Sequence, residues 1–132
     1  MDIKEPITTY DKNIASVYIY LTLILDDLEF DSLTFKRIPV KINEPYISLL
    51  DATIKKVLRD IKMVKQIMKE LNIKVVFPTE KENDIFWYFE YFVRGYKSEF
   101  YFWEAALNNY KNKLLNIYLF TSDIPIDRIK KN

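Results

Sequence analysis

Apolar side chains recur at Ile47, Leu50, Ile54, Val57, Ile61, Val64, Met68 and Leu71, in alternating steps of three and four without a break. Such a series falls on one side of an α-helix and on no single face of a strand. Asn43 is placed to cap this helix, Glu44 and Pro45 suit its first turn, and no further proline follows until Pro78. Lys55, Arg59, Lys62, Gln66 and Lys69 take the outer side. At ~1.5 Å per residue the helix spans about 40 Å, and it forms the backbone of the domain.

A second stripe precedes it. Ile14, Val17, Leu21, Ile24 and Leu28 keep the same spacing, and Asp11 is a suitable N-cap residue. Ile19, Tyr20, Leu23 and Leu25 make this helix apolar beyond one stripe, so it is expected to sit centrally. Its acidic end, Asp26 to Asp31, opposes the helix dipole. Residues 31–42 read as a connector, extended at Phe35, Ile38, Val40 and Ile42 and barred from a central strand by Pro39. After Asn72, residues 73–77 are short and β-prone, and residues 79–83 (TEKEN) form a solvated loop.

Residues 85–96 (IFWYFEYFVRGY) are ambiguous. Ile85, Phe89, Phe92 and Tyr96 have helical spacing, with Asp84 as cap and Glu90, Arg94 and Lys97 outside, which favours a helix. The alternative is a strand that pairs with residues 73–77 as a hairpin, because aromatic side chains suit strands well. Gly95 is the one glycine in the chain and marks a bend or a left-handed residue. Ser98 can cap a last helix whose stripe is Phe100, Trp103, Leu107, Tyr110, Leu114 and Ile117, and Pro125 breaks the basic tail after it. The expectation is a mainly α chain. It is one domain over residues 1–132 with frayed ends near 1–10 and 121–132. It forms a three- to four-helix antiparallel bundle, with a short β-hairpin or extended pair near residues 33–42 and 73–77.

The residue inventory closes most common chemistries. Of 132 residues, 49% are hydrophobic and 30% charged, a globular balance. With no cysteine and no histidine there is no disulfide, no thiolate or Ser-His nucleophile, and no conventional zinc or haem ligand set. A single glycine excludes Walker and Rossmann phosphate loops. The expectation is a protein that is no enzyme, binds no cofactor or metal, and works in the cytoplasm. Residues 1–10 lack the apolar region of a signal peptide. The longest apolar run, residues 17–25, is far short of the ~20 residues of a membrane span.

Charge is uneven although the net is +1. Residues 1–31 hold two lysines against seven carboxylates, and residues 51–74 hold seven cations against three. The acidic group Asp26, Asp27, Glu29 and Asp31 lacks the spacing and glycine of a calcium loop and reads as a solvated helix end facing the lysine-rich helix. The basic face is interrupted by Asp51, Asp60 and Glu70, which argues against nucleic acid as a partner. A carboxylate enzyme built on Asp26, Asp27 or Glu90 has no supporting arrangement.

Eleven aromatic residues fall between Phe86 and Trp103, more than one helix face can bury. Most of them are expected in the core. Trp87, Tyr88, Tyr91, Tyr101 and Trp103 are the candidates for contact with a protein partner, a second copy or an apolar small molecule, since Tyr and Trp join a large apolar area to a polar tip.

Three stretches resemble the YhjD family of sporulation proteins of spore-forming bacilli. They are residues 21–27 with their closing acidic pair; Pro45-Tyr46 leading to Asn72-Ile73-Lys74-Val75; and Arg94-Gly95-Tyr96 followed by Tyr101-Phe102-Trp103 and Leu107-Asn108-Asn109. The likeness covers most of residues 14–120. It implies a bacterial cytosolic protein made around sporulation and carries over no catalytic or ligand residue. The expected function is a non-enzymatic helical protein-interaction domain; the rival is a sensor or carrier that encloses an apolar, lipid-like ligand.

Overall fold

The computed structural model describes residues 6–39, 41, 43–78 and 85–120. The expected loop at 79–83, the tail at 121–132 and residues 1–5 lie outside them. The order of elements is α1 (Thr9–Arg37), α2 (Glu44–Leu71), β1 (Ile73–Val76), β2 (Phe86–Val93), β3 (Tyr96–Trp103) and α3 (Glu104–Phe120).

Thr8, not Asp11, caps α1. The Thr8 hydroxyl accepts the Asp11 amide N–H at 3.1 Å, and the Asp11 carboxylate accepts the Thr8 N–H at 2.9 Å. This reciprocal box satisfies two donors that the helix start leaves orphaned. The helix then runs well past the expected connector, through residues 31–37. The acidic group therefore lies inside the helix, and Lys36 and Arg37 occupy the last turn, where they complement the dipole. An extended piece at residues 33–37 is thus ruled out, and among the described residues of 33–42 none forms a strand beside 73–77.

Helices α1 and α2 pack antiparallel, stripe on stripe. Ile14, Leu21, Ile24 and Leu28 of α1 are buried against Val57, Ile61, Val64 and Met68 of α2. Each such side chain contributes on the order of 1.5–3 kcal/mol by leaving water. Asn43 precedes α2 but makes no side-chain cap; its Nδ2 donates instead to the Phe35 carbonyl at 3.3 Å. Asn72 ends α2 in the left-handed conformation, φ 56°, and passes the chain straight into β1.

Residues 85–96 are not a helix. β2 pairs antiparallel with β1 (Ile73 opposite Val93, Val76 opposite Glu90) and with β3 (Phe86 opposite Trp103, Val93 opposite Tyr96). The hairpin alternative holds, and it extends further than expected: β3 consumes Ser98, Phe100 and Trp103, so α3 begins only at Glu104. Arg94 (φ 49°) and Gly95 (φ 89°) turn the chain between β2 and β3. Two consecutive positive φ values are the signature of the two-residue type I′ hairpin, whose twist matches that of paired strands. The described residues form three helices, two of them long, with a three-stranded antiparallel sheet in the order β1-β2-β3.

Helix α3 closes the core with Leu107, Leu114 and Tyr118. Lys111 Nζ reaches Asp27 Oδ2 at 2.9 Å, so part of the acidic group pairs with α3 rather than with the lysines of α2. The Tyr118 hydroxyl donates a short hydrogen bond to the fully buried Asp60 of α2, and Lys56 Nζ donates to the Tyr118 carbonyl at 3.3 Å. Burial first, then the Asp60 carboxylate, pushes the Tyr118 phenol well above its ordinary value.

Candidate functional site

Alternation along β2 and β3 sorts the aromatic block into two faces. Trp87, Phe89, Tyr91 and Val93 turn inward with Phe100 and Phe102, onto the helices. Tyr91 stacks on Phe100 at 4.5 Å between centroids, Phe89 meets Phe77 edge-on at 5.7 Å, and Phe102 meets Tyr20 at 5.4 Å. Tyr91, expected at a partner surface, is only 2% exposed and belongs to the core. Trp87 is partly buried against that core. Parity decides both: each is an odd-numbered neighbour of Phe89 and Val93 on the same strand.

The outer face carries Tyr88, Tyr101 and Trp103, together with Phe86. Tyr101 is 57% and Trp103 60% exposed, large values for such rings. They form a ladder across the two strands. Tyr88 and Tyr101 lie 5.1 Å apart, Phe86 and Tyr101 5.4 Å, and Phe86 and Trp103 6.1 Å, mostly edge-on. Phe86, Tyr88, Tyr101 and Glu99 line an open depression of about 520 Å³.

Next to the rings, Glu90 and Glu99 stand directly opposite each other. Like charges so placed repel, and two neighbours relieve them. The Tyr88 hydroxyl lies 3.2 Å from Glu90 Oε1 and 3.0 Å from Glu99 Oε2, and Lys97 Nζ lies 3.4 Å from Glu90. Desolvation, with Glu99 and Glu90 after it, pushes the Tyr88 phenol above its ordinary range, so it stays a donor at physiological pH.

Behind the face, Arg94 fixes the hairpin tip. Its Nη2 sits 2.6 Å from Asp11 Oδ2 and 3.3 Å from the Pro6 carbonyl, and its Nη1 donates to the Leu71 carbonyl at 3.0 Å. Burial of Asp11 acts to raise its carboxyl. The donors from Arg94 and Thr8 outweigh that and hold it below its ordinary value. One guanidinium thus ties the turn to the start of α1 and the end of α2.

A family model for the YhjD protein matches residues 6–123, which takes in every element of this fold. The chain belongs to the YhjD protein family. No curated protein and no solved structure matches it. In this YhjD-family chain the motif Arg94-Gly95-Tyr96 is the turn and its anchor, and Tyr101-Phe102-Trp103 is the end of β3. Among the described residues there is no cluster of three or more metal-ligating side chains, and no helix is long and apolar enough to cross a membrane.

Sequence reasoning missed a second exposed apolar group. Phe30 (68% exposed) and Leu33 on α1 lie at the same end of the helix pair as Tyr46 and Leu49 on α2. Reading residues 31–42 as a connector concealed it. A third feature lies along β1, where an open depression of about 460 Å³ is lined by Tyr18, Met68, Val75 and the lysines 65, 69 and 74.

Proposed function

We propose that this chain acts by protein contact, without catalysis, and that the outer face of the β2–β3 hairpin is the contacting surface. The observation that carries the reading is the exposure of Tyr101 and Trp103 beside Tyr88 on one rigid face. Large aromatic rings on paired strands lose little conformational freedom on binding, and rings of this kind supply much of the energy of protein interfaces. The hydroxyl of Tyr88 and the carboxylates of Glu90 and Glu99 provide a polar rim. The sporulation role that the sequence resemblance implies is the setting we propose for this contact.

The rival, a carrier for an apolar ligand, takes second place because both depressions described above open to solvent. The test places a photo-crosslinking phenylalanine analogue at Trp103 or at Lys62, on the far side of α2, in the organism that makes the protein. We expect a discrete protein adduct at position 103 and none at position 62. Identical adduct patterns at the two positions, or none at either, would refute the reading.

A further inference from the structure

We propose that the free edge of β1 is a binding site for an extended, acidic peptide segment, which adds to the sheet as a fourth strand. Hydrogen bonding fixes which main-chain groups face outward. The Arg94 amide donates to the Asn72 carbonyl at 2.9 Å, and the ladder continues with Lys74 opposite Phe92 and Val76 opposite Glu90. In an antiparallel pair, bonded and non-bonded positions alternate. Residues 72, 74 and 76 are therefore spent on β2, and the N–H and C=O groups of Ile73 and Val75 point the other way. β1 is terminal in the sheet, and no described strand pairs with that side.

That edge opens onto the depression of about 460 Å³ described above, whose lining includes all four residues of β1 but none of β2. Met68, Val75 and Tyr18 give it an apolar floor. Lys65 and Lys69, one turn apart on α2, and Lys74 on β1 surround it. The ion pairs shown by the described residues use Lys36, Arg59, Arg94, Lys97 and Lys111, and none of these three. Main-chain donors and acceptors turned away from β2 at half-buried Val75 and at Ile73, itself buried, an apolar strip and three unmatched cations complement a strand that alternates carboxylates with small apolar side chains. Main-chain bonding of this kind supplies affinity, and the alternate side chains supply selectivity. The charge favours an acidic segment over a neutral or basic one.

The probe is a fluorescein-labelled decapeptide of alternating aspartate and valine, followed by anisotropy at physiological salt against the intact chain. We expect saturable binding. Replacing Lys65, Lys69 or Lys74 by Gln should weaken it about two- to fivefold each, as for partly exposed ion pairs. A peptide of the same charge, N-methylated at alternate residues so that one edge has no N–H, should lose binding at least tenfold. In amide exchange, the Ile73 and Val75 amides should gain protection while Glu99 and Tyr101 stay unchanged. Equal binding of the N-methylated peptide would reduce the site to unspecific charge attraction and overturn the proposal. So would unchanged Ile73 and Val75 amides, displacement by laurate or inorganic phosphate without any strand signature, or no binding at all. The lysine variants lie on exposed positions and leave the fold intact, so none of these outcomes reduces to misfolding.

Discussion

Replacing Arg94 by Ala tests how much of the stability rests on a single side chain. Arg94 is 22% exposed and its partner Asp11 only 2%. The substitution removes two charge-assisted bonds to Asp11, at 2.6 and 3.5 Å, and two donations to the Pro6 and Leu71 carbonyls. Among the described residues it leaves a buried carboxylate supported by Thr8. Breaking a buried pair from one side costs about 3–5 kcal/mol. The remaining Thr8 contact places this case near the lower end, at roughly 3 kcal/mol, or a fall in Tm of about 10 °C for a domain of this size. Backbone strain does not change, since Ala has the same preference against positive φ as Arg. Urea unfolding of R94A, D11A and the double variant should give a coupling energy of about 2–3 kcal/mol. The pair should also leave a pH signature. The Asp11 carboxyl is held below its unfolded value of 3.8, so its contribution is complete above that value and is lost as pH falls through the folded one. Wild type should therefore lose stability below about pH 4 more steeply than R94A. A cost under about 1 kcal/mol, or parallel acid profiles for the two proteins, would refute the reasoning.

Other perturbations follow from the same geometry. Tyr118→Phe removes the hydroxyl donor from buried Asp60 and should cost about 2 kcal/mol in urea unfolding, since a buried carboxylate oxygen is left unmatched. Gly95→Ala places a Cβ at φ 89° and should cost about 1–2 kcal/mol, visible as a lower urea midpoint at unchanged slope. Trp103→Ser should change stability by less than about 0.5 kcal/mol, yet remove most acrylamide-accessible tryptophan fluorescence, because Trp87 is packed against the core. At alkaline pH, Tyr20 is pushed up to about 12 by burial and by the neighbouring Tyr110. A folded value above the unfolded 10 means that stability is intact below pH 10 and falls as pH rises from there toward 12. Absorbance titration near 295 nm should show its ionisation coinciding with unfolding.

The two long helices were legible because each joins one apolar stripe to a polar remainder, and Ile14 to Leu28 and Val57 to Met68 are buried as that spacing requires. Residues 85–103 were not. A half-buried strand normally betrays itself by alternation of apolar and polar side chains, but here both faces are aromatic: Trp87 and Phe89 inside, Phe86 and Tyr88 outside. The period of two is present and invisible, and Ile85, Phe89, Phe92 and Tyr96 match a helix by chance. Arg-Gly is also a rarer hairpin turn than Asn-Gly, because Arg at φ 49° needs outside support, and here that support is Asp11, 83 residues away. Of the five rings singled out in the sequence, Tyr101 and Trp103 are exposed on one face beside half-buried Tyr88, whereas the inward placement of Tyr91 and Trp87 follows only from the strand register.

The guanidinium of Arg94 gathers three chain segments at one pole of the molecule, and no described residue does the same at the other. Toward that far pole, side-chain contacts of the described residues join the end of α1 to the start of α2: Ser32 to Asp51 at 2.8 Å, Lys36 to Asp51 at 3.9 Å, Phe35 stacked on Tyr46, and Asn43 to Phe35. The protein is thus a fastened block with a two-helix prong. Slow opening in hydrogen exchange should begin at the prong's tip and travel toward the hairpin, and a proteolytic nick near residue 39 would leave the block standing.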